Sequence, residues 1–186
     1  MKLVVVTSNP HKAREIGIYL AGCMEVMNVS LEIPEYRHDD VAEIARRKAE
    51  YAYQVIKKPL IVDDTAFSID ALSGFPGPYA AYVQNTIGNG GILKLMDGLS
   101  DRGAHFETAI AYADQDGIRV FRGRIDGTIV SERGDEGFGY DPIFEWKGRT
   151  LAELSVEEKS GISHRARALV ALREWLEQEC IGSSQE

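Results

Sequence analysis

The segment Lys2-Leu3-Val4-Val5-Val6-Thr7, followed at once by Ser8-Asn9-Pro10-His11-Lys12, predicts the class of fold. Its first part is a short β-branched run of the kind that is buried in a sheet. Its second part has the residues of a helix start, because Ser8 or Asn9 can cap a helix that has Pro10 in its first turn. Gly22 can end that helix. The chain therefore opens with a strand, a loop and a helix over about residues 10–21.

The alternation of helix and strand continues to about residue 71. A second helix is predicted to begin near Asp39 or Asp40 and to end before Pro59, since Asp40 and Glu43 have the spacing of a capping box. Residues 60–62 then form a short buried strand, and the alternating apolar residues that follow predict extended chain.

The second half of the chain predicts further elements of both kinds. Residues 79–97 read as two short helices broken by the glycines of 88–91, and residues 105–113 and 118–125 read as the strands of a hairpin. Ser163 can cap a last amphipathic helix. The sequence thus predicts an α/β fold with helices on both faces of a partly antiparallel sheet, as one domain over 1–180 and a disordered tail over 181–186.

Composition limits the classes of function. The 186 residues are 44% hydrophobic, which is enough for a core, and the net charge of −8 argues against a nucleic-acid-binding surface. No apolar run approaches the length of a membrane span, and the N-terminus has no signal-type pattern, so a cytoplasmic protein is expected. Cys23 and Cys180 have no metal-ligand spacing and receive no function.

The residues around Lys12 suit a phosphate chain, because a helix N-terminus presents backbone N–H donors and Lys12 adds a positive charge within the first turn. Ser8 and Asn9 also cap helices for purely structural reasons. Both interpretations remain open for this segment alone.

Asp63 and Asp64 are two adjacent carboxylates at the end of a predicted buried strand. Adjacent carboxylates repel each other unless a cation or water shares them, and a hard cation such as Mg²⁺ satisfies this need. On a strand their side chains point to opposite faces, so only one of them has to face a cleft. The alternative is that both residues simply begin a turn.

Glu35 and Lys48 are weaker candidates. Glu35 follows a proline in an exposed-looking segment and can supply a second carboxylate to the same ion. Lys48 borders the apolar face of the second predicted helix, where a lysine either meets an anion or extends its charged end to water.

Two later segments have the residues of a nucleotide site. Phe138-Gly139-Tyr140-Asp141 combines rings that can stack on a base, a glycine that allows close approach, and an acceptor for base N–H groups. Lys159, His164 and Arg165 stand at and just before a predicted helix N-terminus, where cations are unfavourable unless an anion compensates the dipole. This placement predicts a bound anion.

Several nucleotide-binding patterns are absent from the sequence. Neither G-x-x-x-x-G-K-[ST] nor G-x-G-x-x-G occurs, which removes the P-loop and Rossmann interpretations. The acidic residues near 174–179 lack the pairing and upstream spacing of a Nudix helix.

Six segments in this order resemble the Ham1/inosine triphosphatase family, and its archaeal members in particular. They are TSNPHK at Thr7–Lys12, PEY at Pro34–Tyr36, VDDT at Val62–Thr65, ALSGFPGPY at Ala71–Tyr79, FGYDP at Phe138–Pro142 and EKSGISHR at Glu158–Arg165. The resemblance implies a three-layer α/β/α fold with a mixed, elongated central sheet and a cleft between two lobes. It also implies a homodimer that hydrolyses ITP, dITP and XTP to the monophosphate and pyrophosphate with Mg²⁺.

The resemblance also implies roles for individual residues. The motifs assign catalysis to Asp64, with Asp63 and Lys12 in support, and assign Mg²⁺ binding to Glu35 and Asp64. The remaining implied contacts are to a small-molecule nucleoside triphosphate, and they are Thr7, Ser8, Asn9, Lys12, Lys48, Thr65, Phe138, Gly139, Tyr140, Asp141, Lys159, His164 and Arg165. Of these, Lys159, His164 and Arg165 would discriminate the base or close over the nucleotide. After Tyr79 the chain has Ala80-Ala81-Tyr82, where many members carry serine or a basic residue.

Three rival functions stand beside this one: a non-catalytic nucleotide sensor that uses the same pocket, a house-cleaning pyrophosphatase of the Maf type, and a nucleic-acid-binding module. The paired carboxylates argue against the first, and the acidic net charge argues against the third.

Overall fold

A computed structural model describes residues 2–21 and 24–182, with side chains through Glu179. The strands are β1 (Lys2–Val6), β2 (Glu25–Val29), β3 (Leu60–Ile69), β4 (Pro76–Gly77), β5 (Gly103–Asp114), β6 (Gly117–Ile129), β7 (Phe144–Trp146) and β8 (Arg149–Thr150). The helices are α1 (Pro10–Leu20), α2 (Val41–Ile56), α3 (Ala80–Thr86), α4 (Gly88–Leu95), α5 (Val156–Ile162) and α6 (His164–Gly182).

The strands form one mixed sheet in the order β2-β1-β3-β5-β6-β7-β8, with β4 beside β3. Strand β1 pairs in parallel with β2 and β3, and every pairing from β3 to β8 is antiparallel. Strands β3, β5 and β6 have 10, 12 and 13 residues, so at roughly 3.3 Å per residue they extend well beyond β1. The sheet is therefore elongated, as the family resemblance implies.

The alternation of side chains along β1 produces the three layers. Leu3 and Val5 share a core cluster with residues of α1 and α6, whereas Val4 and Val6 share a second cluster with α2. All four are buried, because opposite faces of a strand each meet a helix layer. The predicted α/β/α class is confirmed.

A third apolar cluster lies at the far end of the long strands. Phe67, Phe106 and Phe144 form its aromatic centre, with 4.6 Å between the ring centroids of Phe67 and Phe106. Residues of α3 and α4 cover it. The fold thus has one apolar cluster on each face of β1 and a separate cluster around these rings.

The structure also corrects several boundaries. The run Gly88–Gly91 forms the first turn of α4, so only Ile87 separates α3 from α4. Strands β2, β7 and β8 and helix α5 had no recognised signal. Helix α6 continues to Gly182, two residues into the predicted tail. The predicted stop at Gly22, the thiol of Cys23 and the tail residues 183–186 lie outside the described residues, as does the side chain of Cys180.

Two helix caps predicted from the sequence are present in the structure. Asn9 caps α1 by accepting hydrogen bonds from the N–H groups of His11 and Lys12, and Asp40 caps α2 through Ala42. Across residues 2–21 and 24–182, no helix is both long enough and apolar enough to cross a membrane.

Candidate active site

Strand β3 turns its two adjacent aspartates to opposite faces of the sheet. Asp63 meets Lys12 of α1 and Arg165 of α6, and Asp64 meets Lys48 of α2. This follows from the two-residue period of a strand, since Ile61 packs in the α1 and α6 layer and Val62 in the α2 layer. The expectation that the two carboxylates face different ways is confirmed.

Asp63 lies buried between two cations. Its Oδ2 is 3.1 Å from Lys12 Nζ and accepts a hydrogen bond of 3.1 Å from Arg165 Nε, while its side chain is 1% exposed. Burial acts to raise the pKa of Asp63, but the charges of Lys12 and Arg165 hold it below the ordinary value. Its other oxygen, Oδ1, is buried and has no hydrogen-bond partner among the described residues. A buried acceptor of this kind calls for a water or ligand donor.

Asp64 forms the more accessible pair. Its Oδ2 is 2.5 Å from Lys48 Nζ, and its Oδ1 accepts a hydrogen bond from the Thr65 N–H. The side chains of Asp64 and Lys48 are 13% and 19% exposed. Burial acts to lower the pKa of Lys48, but the charge of Asp64, with a smaller contribution from the exposed Glu35, raises it. Lys48 thus meets an anion, so its charge is not simply extended to water.

Glu15 is a site residue that the sequence analysis missed. It contacts both buried cations of the last motif, with Lys159 Nζ at 2.8 Å from Oε1 and with Arg165 Nη1 bonded to Oε2. Burial acts to raise the pKa of Glu15, and the two cations hold it below the ordinary value. The available signal was its spacing, because a residue three positions after Lys12 lies on the same side of a helix.

The buried charges on this face are balanced within the protein. Lys12, Lys159 and Arg165 supply three cations, and Glu15, Asp63 and Asp141 supply three carboxylates that contact them. His164 and Arg165 begin α6 and Lys159 comes shortly before it, as predicted. Lys159 also lies in the last turn of α5, where its charge suits the dipole of that helix. The anions that this segment requires are carboxylates of the chain itself.

The loop after β6 places an aromatic ring beside the charge network. The Phe138 ring stacks on His11, with centroids 4.9 Å apart, and Lys159 Nζ lies 4.7 Å from the same ring. Asp141 accepts hydrogen bonds from the Phe138 N–H at 2.8 Å and from Lys159 at 2.7 Å. Burial raises the pKa of Asp141, although Lys159 opposes the shift. Phe138 is half-buried.

Tyr140 belongs to the core and does not offer a free ring. Its ring stacks on Phe67 at 4.4 Å, its hydroxyl donates to the Ala80 carbonyl at 2.8 Å, and the residue is 4% exposed. Burial raises its pKa. Of the two rings that the sequence suggested for stacking on a base, the structure therefore leaves Phe138.

His164 is buried in a chain of hydrogen bonds that reaches β3. Its Nδ1 is 2.6 Å from Thr108 Oγ1, which is 2.7 Å from Thr65 Oγ1, and Arg165 donates to Thr65. Burial lowers the pKa of His164 well below its ordinary value. Gly123 allows this approach of α6 to the sheet, because a Cβ there would lie 2.1 Å from the His164 carbonyl oxygen.

The first loop is closed by its own side chains. Thr7 Oγ1 accepts a hydrogen bond from the Asn9 N–H, and Asn9 Oδ1 accepts from His11 and Lys12, while Ser8 is exposed. The α1 N–H groups proposed for phosphate binding are therefore bonded to Asn9 in this structure. Lys12, 18% exposed, remains the residue of this loop that reaches the aspartates.

The carboxylates that fit Mg²⁺ are few. Within the described residues, no group of three His, Cys, Asp or Glu side chains is arranged to hold a metal. Asp64 pairs with Lys48, and the exposed Glu35 is near enough for its charge to act on the pKa of Lys48. Both carboxylates are hard oxygen donors, and Mg²⁺ is commonly held by one or two carboxylates together with substrate phosphates. This donor set fits Mg²⁺ only in the company of a phosphate ligand.

Comparison with known proteins identifies the family of the chain. The model of the Ham1 family matches residues 3–175. A "dITP/XTP pyrophosphatase" of Thermococcus kodakarensis is 45% identical over 182 residues, covering 96% of this chain and 98% of that protein. "Inosine triphosphate pyrophosphatase 2" of Trypanosoma cruzi is 46% identical over 177 residues, covering 92% of this chain and 90% of that protein.

A solved structure has the same fold. The HAM1 protein from Coxiella burnetii superposes with a TM-score of 0.85 at 29% identity, covering 96% of this chain and 99% of that one. Since the family match spans nearly the whole chain and includes every segment of the site, the chain belongs to the Ham1 family.

Proposed function

We propose that this chain hydrolyses non-standard purine nucleoside triphosphates, namely ITP, dITP and XTP, to the nucleoside monophosphate and pyrophosphate. The observation that carries the proposal is the pair of lysine–aspartate contacts, Lys12 with Asp63 and Lys48 with Asp64, on the two faces of one strand. The activities named for the relatives from Thermococcus kodakarensis and Trypanosoma cruzi support it.

The two lysines bind the phosphate chain of the substrate. Lys12 and Lys48 keep 18% and 19% of their side chains exposed, so both can exchange a carboxylate partner for a phosphate oxygen. Negative charge grows on the leaving pyrophosphate as the bond to the α-phosphorus breaks, and fixed cations stabilise it. The lysines thus bind the substrate and lower the barrier.

Mg²⁺ is the proposed cofactor. Asp64 and Glu35 would hold it, and when bound it would neutralise phosphate oxygens and help to position them. Asp64 is suited to this because its carboxylate is partly exposed and is paired with a cation that can turn to the phosphate.

Asp64 is also the better candidate to orient the attacking water. Asp63 is 1% exposed and its pKa is held low by Lys12 and Arg165, so it is a poor base and instead positions those two cations. The water oxygen forms a bond to the α-phosphorus, the bond from that phosphorus to the bridging oxygen breaks, and the proton of the water passes to a carboxylate. Pyrophosphate leaves with the bridging oxygen.

Phe138 is the proposed surface for the purine. Its half-buried ring lies beside Lys159 and the carboxylate of Asp141, so a base stacked there meets polar groups at its edge. ITP and XTP carry an acceptor at position 6 where ATP carries an amino donor, so polar groups at this edge distinguish them.

A substrate panel separates this function from its rivals. Purified protein with Mg²⁺ is incubated with ITP, XTP, GTP, ATP and dTTP, and pyrophosphate and orthophosphate are measured separately. We expect ITP and XTP to release pyrophosphate faster than GTP, ATP and dTTP do. Binding of ITP without turnover would favour the nucleotide sensor, and preference for dTTP would favour the Maf-type activity.

We also propose that the protein acts as a homodimer in the cytoplasm, as the resemblance implies. Light scattering coupled to size-exclusion chromatography tests the dimer, for which we expect twice the 20.6 kDa mass of one chain. A single-chain mass at micromolar concentration would contradict it. Cell fractionation tests the location.

A further inference from the structure

Two side-chain amides, one on α3 and one on α4, hold one carbonyl of the loop that carries Phe138. Gln84 Nε2 of α3 and Asn89 Nδ2 of α4 donate to the Gly139 carbonyl at 3.2 Å and 3.1 Å. A carbonyl oxygen has two lone pairs, so both hydrogen bonds can form at once. The orientation of the amides is determined, because reversing either would bring two acceptors together.

This contact has no counterpart elsewhere in the site. The other loop residues are held by charge or by packing, namely Asp141 by Lys159 and Tyr140 by Phe67. Gly139 has no side chain to anchor and has a φ of +65°, a conformation that favours glycine. The Asp141 N–H donates to the Phe138 carbonyl at 3.3 Å and closes a turn around the Gly139–Tyr140 peptide. The two amides add the only side-chain hydrogen bonds to the Gly139 carbonyl among the described residues.

Fixing the Gly139 carbonyl also fixes the next N–H. In a trans peptide the C=O of Gly139 and the N–H of Tyr140 point in opposite directions, so the N–H is turned away from α3 and α4. Among the described residues no hydrogen bond engages this N–H. It is a backbone donor two residues along the chain from the Phe138 ring.

We propose that Gln84 and Asn89 are positioning residues for base recognition, which hold the Gly139–Tyr140 peptide so that the Tyr140 N–H is available to an acceptor on the purine. The inference rests on the proposed function, because it takes Phe138 as the surface for the base. Neither amide needs to touch the nucleotide. Their own oxygens, Gln84 Oε1 and Asn89 Oδ1, are buried and have no partner among the described residues, so the amides bury polar atoms in order to donate to Gly139.

Sharing one acceptor makes the two amides redundant, and this determines the test. Gln84→Ala, Asn89→Ala and the double variant are compared with Asn85→Ala, an exposed neighbour on α3. Calorimetry measures the Kd of IMP, which carries the base, and of tripolyphosphate, which does not. We expect each single variant to weaken IMP binding less than about threefold and the double variant at least about tenfold, because one donor suffices to hold the carbonyl.

Three further results accompany this if the proposal holds. The Kd of tripolyphosphate stays within about twofold, Asn85→Ala resembles wild type, and the double variant raises KM for ITP much more than it lowers kcat. If the double alanine variant does not fold, Gln84→Met with Asn89→Leu, which keeps side-chain volume without N–H donors, is measured instead.

The contrary results are equally definite. Additive losses from the single variants, equal losses for IMP and tripolyphosphate, or an unchanged double variant would overturn the positioning role. Absence of ITP turnover in the wild type would contradict the proposed function alone, because IMP binding tests the two amides without turnover. Failure of the wild type to bind IMP would overturn the inference.

Discussion

Asp63 and Asp64 follow each other in β3, and each forms an ion pair with a lysine on its own face of the sheet. Lys12 Nζ is 3.1 Å from Asp63 Oδ2, and Lys48 Nζ is 2.5 Å from Asp64 Oδ2. The pairs differ in burial, because the Asp63 side chain is 1% exposed and the Asp64 side chain 13%. We therefore propose that Asp63 holds the site together and that Asp64 faces the substrate.

Asp64→Asn should keep the fold and lose most turnover. A neutral amide neither holds Mg²⁺ nor accepts a proton as the carboxylate does, so we expect kcat for ITP to fall by about 10²-fold or more. Steady-state kinetics and urea unfolding measure the two effects. The control is Asp63→Asn, which removes the buried carboxylate that Lys12 and Arg165 share and should lower the free energy of unfolding by about 3–5 kcal/mol. A near-normal kcat in Asp64→Asn, with unchanged Mg²⁺ dependence, would contradict the assignment of Asp64 to catalysis and Mg²⁺ binding.

Lys12→Ala should weaken every triphosphate to the same degree. Lys12 contacts Asp63, and the proposed function assigns it to the phosphates, so it would carry no information about the base. We expect kcat/KM to fall at least about tenfold for ITP, XTP and GTP alike, as for the loss of one charge-assisted contact. Parallel kinetics with the three substrates check this. A loss confined to ITP would place Lys12 near the base instead.

The contacts of Arg165 favour a structural role over the role in base discrimination that the sequence suggests. If Arg165 contacted the base, as the sequence suggests, Arg165→Ala would reduce the ratio of kcat/KM for ITP to kcat/KM for ATP at least about tenfold. In the structure its guanidinium bonds Asp63, Glu15 and Thr65 and is buried. We therefore expect Arg165→Ala to lower kcat/KM for ITP and ATP by similar factors, and to destabilise the fold by about 3–5 kcal/mol. A selective loss on ITP would restore the role in base recognition.

His164 should make stability depend on pH below about 6.5. Its folded-state pKa lies well below the ordinary histidine value of about 6.5 because the ring is buried, so the unfolded chain takes up a proton that the folded chain excludes. The contribution of His164 to the free energy of unfolding is fully present above about pH 6.5. It falls by up to about 1.4 kcal/mol per pH unit as the pH drops toward the folded-state pKa. Urea unfolding between pH 7.5 and 5.0 measures this slope.

His164→Asn removes the titrating ring and should flatten the slope. His105→Asn is the matched control, because burial also lowers the pKa of His105, which is partly exposed, and its removal should flatten the slope less. Equal slopes in wild type and His164→Asn would show that His164 does not titrate on unfolding in this range.

Much of the fold could be predicted because local patterns and packing agree. The β-branched run before Ser8 and the caps Asn9 and Asp40 predicted a strand and two helices that the structure contains. The glycines at 88–91 were misread because helix propensity is a weak local signal, and here Ile92 and its neighbours bury an apolar face that holds the helix. Strand β2 alternates too weakly to be recognised, since it lies at an edge of the sheet.

The sequence predicted which motifs form the site, but it did not predict the ion pairs and hydrogen bonds that connect them. Motifs show which residues are present, whereas partners depend on tertiary contacts between residues far apart, such as Glu15 with Arg165. For the same reason the sequence could not show that the cations at 159 and 165 meet carboxylates of the protein, or that the Tyr140 ring packs on Phe67. Side-chain burial, which separates Asp63 from Asp64, is likewise a property of the folded chain.

The most direct test of the proposed activity is a single competition reaction. Equal concentrations of ITP, ATP and dTTP with Mg²⁺ are incubated with the protein, and all nucleotides, pyrophosphate and orthophosphate are quantified over time. We predict that ITP disappears first and yields IMP and pyrophosphate in a one-to-one ratio, while ATP and dTTP persist. Release of orthophosphate with IDP, or consumption of dTTP or ATP ahead of ITP, would contradict the account.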